Sequence, residues 1–185
     1  MTRIDSGGGD AGFHLRLAEP EDAAAILEYF RTLGGQTTFV TFGSEGIPLG
    51  EEAEAAFIAR TRSRDNAIFL LAVAPEGIVG ALTYAGGEKA RTRHTGEFGV
   101  SVLREWWGRG VGPALLEEMI AWARGGGVVR KINLRVHVDN VRAIRLYERL
   151  GFVHEGRTTR DMFMDGRFVD SLMMGLEIDP EPSGE

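Results

Sequence analysis

The sequence predicts a single α/β domain over residues 13–178, a central mixed, twisted sheet with helices on both faces. Three observations predict it. Strand-like and helix-like stretches follow one another in the order β-α-α-β-β-β-α-β-α-β-β. An apolar run ending at Leu103 gives way to glycines at alternate positions (Gly108, Gly110, Gly112), and a helical pattern starts at once. At 185 residues the chain is the size of one domain, able to bury about 70% of its unfolded surface.

Each element has a local reason. Residues 13–18 read as a first strand. Pro20-Glu21-Asp22 opens a helix whose Ile26, Leu27, Phe30 and Leu33 recur on one face, and Gly34-Gly35 stops it. Residues 51–62 form a second helix. Residues 67–73 are a strongly apolar strand, and Pro75-Glu76-Gly77 turns the chain into another at 78–84. The strand ending at Leu103 precedes the glycine bend. Behind the bend a helix runs over 113–124, closed by Gly125-Gly126-Gly127. A strand at 132–138 and a helix at 141–150 follow. Asp165-Gly166 between two apolar-rich runs then signals a hairpin. Residues 1–12 and 179–185, rich in glycine or in proline and acid, are expected to be loose tails.

Composition excludes several classes. With 21 basic against 27 acidic residues, a net charge of −6, the chain lacks the basic footprint of non-specific nucleic-acid binding. With no cysteine there is no disulfide and no acyl-cysteine step. His14, His94, His137 and His154 show no metal-ligand spacing, so no metal is expected. No signal peptide or membrane-length apolar run is present, which makes a cytoplasmic protein without a membrane partner the expectation.

The glycine bend carries the chemistry. Glycines let a backbone turn tightly and approach a ligand. The start of the following helix presents unpaired N–H groups and a partial positive charge, a seat for phosphate or pyrophosphate. No lysine follows, which excludes a nucleotide P-loop. G-x-G-x-G at mid-chain is not the dinucleotide fingerprint either. On spacing alone, a glycine-rich turn that merely joins strand to helix stays open.

A second stretch, Leu134 to Phe152, reads as strand, turn, short helix and glycine stop. Here the chain resembles the GNAT superfamily of N-acetyltransferases. Trp107-Gly108-Arg109-Gly110-Val111-Gly112 is similar to that family's acetyl-CoA pyrophosphate loop. Asn140, Ala143, Leu146, Tyr147, Gly151 and Phe152 are similar to its N-x-x-A-x-x-L-Y-x-x-x-G-F signature. Two positions depart from the pattern. Trp107 stands where Gln or Arg is usual, and Pro113 where Ser, Thr or Ala is common, which removes one N–H.

The resemblance implies acetyl transfer from acetyl-CoA to a primary amine by direct transfer in a ternary complex. The acceptor would be a small molecule such as an amino acid, or a protein N-terminus. The alternative is an acetyl-CoA-binding sensor without turnover. It further implies that the backbone of Val100, Ser101 and Val102 pairs with the pantetheine arm, the Val102 N–H meeting the thioester oxygen. The amides from Gly108, Arg109, Gly110, Val111 and Gly112 to Ala114, around Pro113, would hold the pyrophosphate. Asn140 would bond the cofactor arm, and Tyr147, which on spacing alone reads as a core residue packing its helix on the sheet, would reprotonate the coenzyme A thiolate. Arg104, Arg109, Arg142 and Arg145 gather near the phosphate end in sequence.

A substrate ammonium with a pKa near 10 must lose a proton before it attacks. Glu97, five residues before Val102, is the candidate base by position, against the plain reading of a solvated strand carboxylate. Acceptor identity is expected in residues 28–50 and in the final hairpin, and a homodimer is the expected assembly.

Overall fold

The computed structural model describes residues 12–164 and 166–179. Most of both expected tails, and Asp165 of the expected turn, lie outside the described residues. Seven strands form one sheet in the order β1-β2-β3-β4-β5-β7-β6. They are β1 (His14–Leu17), β2 (Ala67–Ala74), β3 (Gly77–Gly86), β4 (Thr95–Val102), β5 (Lys131–His137), β6 (Val153–Met164) and β7 (Arg167–Glu177). All neighbours pair antiparallel except β4 and β5, which are parallel, so the sheet is mixed as the sequence predicts. The helices are α1 (Ala23–Gly34), α2 (Glu51–Arg62), α3 (Val111–Gly126) and α4 (Val141–Arg149), with 3-10 turns at Pro20–Asp22 and Arg104–Trp106.

Side-chain alternation along β4 shows the layering, because successive residues point to opposite faces. Ser101 meets α1: its hydroxyl lies 2.9 Å from the Tyr29 hydroxyl. Phe98, of opposite parity, meets Tyr147 of α4 with ring centroids 5.7 Å apart. On that face too, a Cβ at Gly80 would press on Val111 and Leu115 of α3. Helices α1 and α2 therefore cover one face, and α3 and α4 the other. Between them lie Leu70, Leu71 and Leu82 of the central strands and Leu115, Leu116 and Met119 of α3, all fully buried. Truncating one such leucine to alanine costs about 2–5 kcal/mol.

Helix α2 has little apolar face, and its ends suit the helix dipole: Glu51, Glu52 and Glu54 in the first turn, Arg60 and Arg62 in the last. Glu54 is buried, and desolvation pushes its carboxyl above the usual range.

Candidate active site

The parallel pair β4–β5 holds together for only three residues, Thr95↔Lys131, Gly96↔Ile132 and Glu97↔Asn133. Beyond Glu97, β4 stays with β3 and β5 stays with β7, so the two strands part. A wedge opens between 98–102 and 134–137, about 13 Å long on the β4 side at the usual strand rise. The backbone direction inside it is fixed by one bond: the Leu103 N–H donates to Val79 C=O across 3.0 Å. Amide direction alternates along a strand, and the β3–β4 register is unbroken. The amides of Val100 and Val102 therefore face the wedge. Ser101 differs from the sequence expectation: its amide faces β3, and its hydroxyl is spent on Tyr29.

At the open end of the wedge, chain connectivity places two helix N-termini, since α3 follows β4 and α4 follows β5. Gly108 and Gly110 take φ of 81° and 84°, a left-handed backbone that only glycine adopts without strain. Gly110 is the N-cap of α3. The helix begins at Val111, two residues before the start the sequence suggests, because Gly112 has ordinary helical geometry and needs no glycine conformation. This shortens the expected row of free amides. Ala114 N–H donates to Gly110 C=O at 3.0 Å, and Arg109 N–H to Trp106 C=O at 3.4 Å. Pro113 has none. The N–H groups of Gly110, Val111 and Gly112, in the first turn, remain without intrahelical acceptors.

The departure at position 107 has a structural use. The Trp107 indole N–H donates to Val102 C=O at 2.8 Å, tying the loop to the wedge strand. The guanidiniums of Arg104 and Arg142 lie 5.8 Å and 5.4 Å from the centre of its ring, and Arg109 lies 4.8 Å from that of Trp106. Three of the four expected arginines thus lie against indoles beside the glycine bend.

Asn140 caps α4, its side-chain oxygen accepting the Ala143 N–H at 3.2 Å, which leaves its amide NH2 as the group able to reach a ligand. One helical face of α4 carries Tyr147 into the core, edge-on to Phe98 and Phe152. Phe98 is the first β4 residue beyond the last β4–β5 pair, so the Tyr147 ring packs beside the strand where the wedge begins. Its ring is buried. Its hydroxyl has no partner among the described residues, where no fully buried side-chain polar atom is left unpaired, so the oxygen reaches open space. Burial pushes the phenol up to about 12, which keeps it protonated at neutral pH.

Glu97 lies on the opposite face of β4 from Phe98. It is exposed, 3.8 Å from the Arg135 guanidinium, which also holds Asp161 at 3.2 Å. On this face the sequence reasoning missed His137. It ends β5, is buried, and packs edge-on to Phe39 at 5.4 Å. Its Nδ1 accepts the Asp139 N–H at 3.2 Å, which assigns the proton of the neutral ring to Nε2. His137 is then a donor, and no sequence pattern around it marks that.

The two segments expected to select the acceptor do meet. Thr37, Thr38, Val40 and Phe42 line an open cavity of about 440 Å³ with Met162, Phe163 and Met164 of the hairpin. Gly34 lets the segment fold back, since a Cβ there would overlap the Gly43 carbonyl. Among the described residues, no cluster of His, Asp or Glu could hold a metal ion.

Residues 27–152 match the acetyltransferase (GNAT) family. The chain belongs to this family. The crystal structure of a GNAT acetyltransferase from Streptococcus pneumoniae superposes with a TM-score of 0.87 at 34% identity, covering 90% of this chain and 99% of that one. An L-amino acid N-acetyltransferase of Escherichia coli K12 is 36% identical over 105 residues, 57% of this chain and 65% of that protein. The match thus spans just under two thirds of that relative. An L-methionine sulfoximine/L-methionine sulfone acetyltransferase of Pseudomonas paraeruginosa is 28% identical over 170 residues, 91% of this chain and 96% of that protein. The described residues contain no helix long and apolar enough to cross a membrane.

Proposed function

We propose that this GNAT member transfers an acetyl group from acetyl-CoA to the primary amine of an amino acid or a close analogue. The observation that carries the reading is the β4–β5 wedge, with free helix-start amides at its mouth and a protonated phenol packed against β4. The pyrophosphate sits on Gly110, Val111 and Gly112, and the pantetheine arm runs along the amides of Val100 and Val102. Coenzyme A as its thioester supplies the activated acyl group. The amine lone pair attacks the thioester carbon from the Glu97 face. A C–N bond forms, the oxyanion is held by the Val102 N–H, the C–S bond breaks, and the Tyr147 hydroxyl, extending from its packed ring into the wedge, gives its proton to the thiolate. Glu97 takes the proton the amine sheds; His137, its Nδ1 lone pair engaged, serves as a donor to the acceptor. The names of the two relatives put amino acids first among acceptors.

The test is thiol release from acetyl-CoA across L-amino acids, methionine sulfone, polyamines and a short peptide with a free N-terminus. Amino-acid-dependent release with a matching acetylated mass is expected. Binding of acetyl-CoA with no amine-dependent release would overturn the reading in favour of a sensor.

The base assignment gives its own prediction. Glu97→Gln lowers kcat/KM at pH 7 by about 10²-fold. The deficit shrinks toward pH 10, where free amine no longer needs a base. A profile identical to wild type would give the deprotonation to water.

We also propose a cytoplasmic homodimer. Among the described residues β6 is an edge strand with its outer side unpaired, and the hairpin exposes Phe163 and Phe168. A monomeric mass by light scattering, or recovery in the membrane fraction of cells, would refute it.

A further inference from the structure

The segment that borders the acceptor cavity is tied to the cofactor loop at Gln36. Gln36 follows α1 directly, its N–H donating to Leu33 C=O at 2.9 Å. Its amide group is turned away from its own segment, onto the 3-10 turn of residues 104–106. Gln36 Oε1 accepts the Arg104 backbone N–H at 2.8 Å, and Gln36 Nε2 donates to Glu105 Oε2 at 3.3 Å. The Arg104 guanidinium closes the contact by donating to Gln36 C=O. That turn is anchored by Trp106, buried edge-on to Phe13. It leads at once into Trp107, which holds Val102, and into the glycine loop. Three residues beyond Gln36, Phe39 covers His137 at the end of β5. The acceptor segment is therefore pinned at both sides of the wedge mouth, at Gln36 to the cofactor-loop side and at Phe39 to the β5 side.

We propose that Gln36 is a positioning residue that couples the two ligands of the reaction: coenzyme A on the glycine loop steadies residues 104–107, and through Gln36 orders residues 37–43 for the acceptor. The proposal rests on the acetyl-CoA reading of the wedge. Coupling of this kind is a free energy shared by two sites and needs a connecting element that both bias. Here the element is the 104–107 turn. Residues 37–43 have no helix or strand of their own, so their order depends on such external bonds.

Hydrogen exchange on the full chain, with coenzyme A as the probe, tests it. In wild type, coenzyme A slows exchange at residues 108–115 and also, by about tenfold, at residues 37–43. In Gln36→Ala the protection at 108–115 stays and the protection at 37–43 is lost. Unchanged exchange of α3 and the central strands in the unliganded variant shows that it folds. Wild-type protection at 108–115 without any at 37–43 overturns the coupling while leaving the cofactor reading intact, and needs no variant. Protection of 37–43 that survives in Gln36→Ala overturns the role of Gln36. Absence of protection at 108–115 in wild type overturns both the coupling and the cofactor reading.

Discussion

Tyr147→Phe lowers kcat by about 10²-fold or more, the usual worth of a positioned proton donor, and leaves the affinity for acetyl-CoA within about twofold of wild type. The asymmetry follows from the environment of the side chain. Its ring is enclosed by Phe98 and Phe152 and loses none of that packing in the variant. The hydroxyl has no protein partner among the described residues, so removing it strands no buried group and costs little stability. What disappears is one O–H that no protein group among the described residues accepts. The pH dependence has a definite sign. Desolvation penalises the phenolate and pushes the group up to about 12. The donating form is therefore complete at every pH well below that value. From pH 7 to 10 the wild-type and Tyr147→Phe profiles keep one shape and differ in height. Steady-state kinetics over that range, with calorimetric binding of acetyl-CoA, check both parts. An unchanged kcat would remove Tyr147 from the mechanism, and an alkaline limb near pH 8 that vanishes in the variant would contradict the buried-phenol account.

Tyr147 also shows which parts of the site were legible in the sequence. On spacing alone it reads as a core residue of a short helix, and the structure does bury it. Only the family signature singled out its hydroxyl, because no local pattern encodes where an oxygen emerges from a core. The glycine bend was legible for the opposite reason. A backbone at φ of 81° and 84° selects glycine at 108 and 110, so the requirement is written in residue type. Gly112 was misread as part of the same turn, which displaced the helix start and added Ala114 to the list of free amides. The strands and the first helix followed from apolar periodicity, a local signal. The parting of β4 from β5 after Glu97 is a non-local event, set by β5 following β7 and β4 following β3, and nothing in either strand announces it. The same holds for Gln36, whose partner Arg104 lies 68 positions away, and for Arg135, which reaches Glu97 only once the sheet is assembled.

The parting of those strands leads to the second large effect, because it leaves a backbone N–H that can be deleted without breaking the sheet. Val102→Pro lowers kcat/KM by about 10²–10³-fold, the cost of losing one oxyanion donor, while the domain stays folded. Proline in a strand is normally disruptive because it removes a ladder bond, and it is tolerated where the N–H points away from a partner. Val102 is such a place. Its neighbour Leu103 donates to Val79, so the Val102 amide faces the wedge and β3 loses nothing. Its carbonyl remains available to the Trp107 indole. The fixed φ of the ring adds modest strain, and a loss of about 1 kcal/mol lowers Tm by about 2–4 °C in a chain of this length. Ser101→Pro is the contrast: its amide faces β3, so proline there breaks the central ladder and destabilises the fold far more. Thermal melts of both variants, with acceptor kinetics of Val102→Pro, decide the point. If Val102→Pro melts as low as Ser101→Pro, the backbone direction inferred from Leu103 is wrong. If it folds and keeps wild-type kcat/KM, the oxyanion is held elsewhere, and the wedge binds the cofactor arm without activating the thioester at Val102.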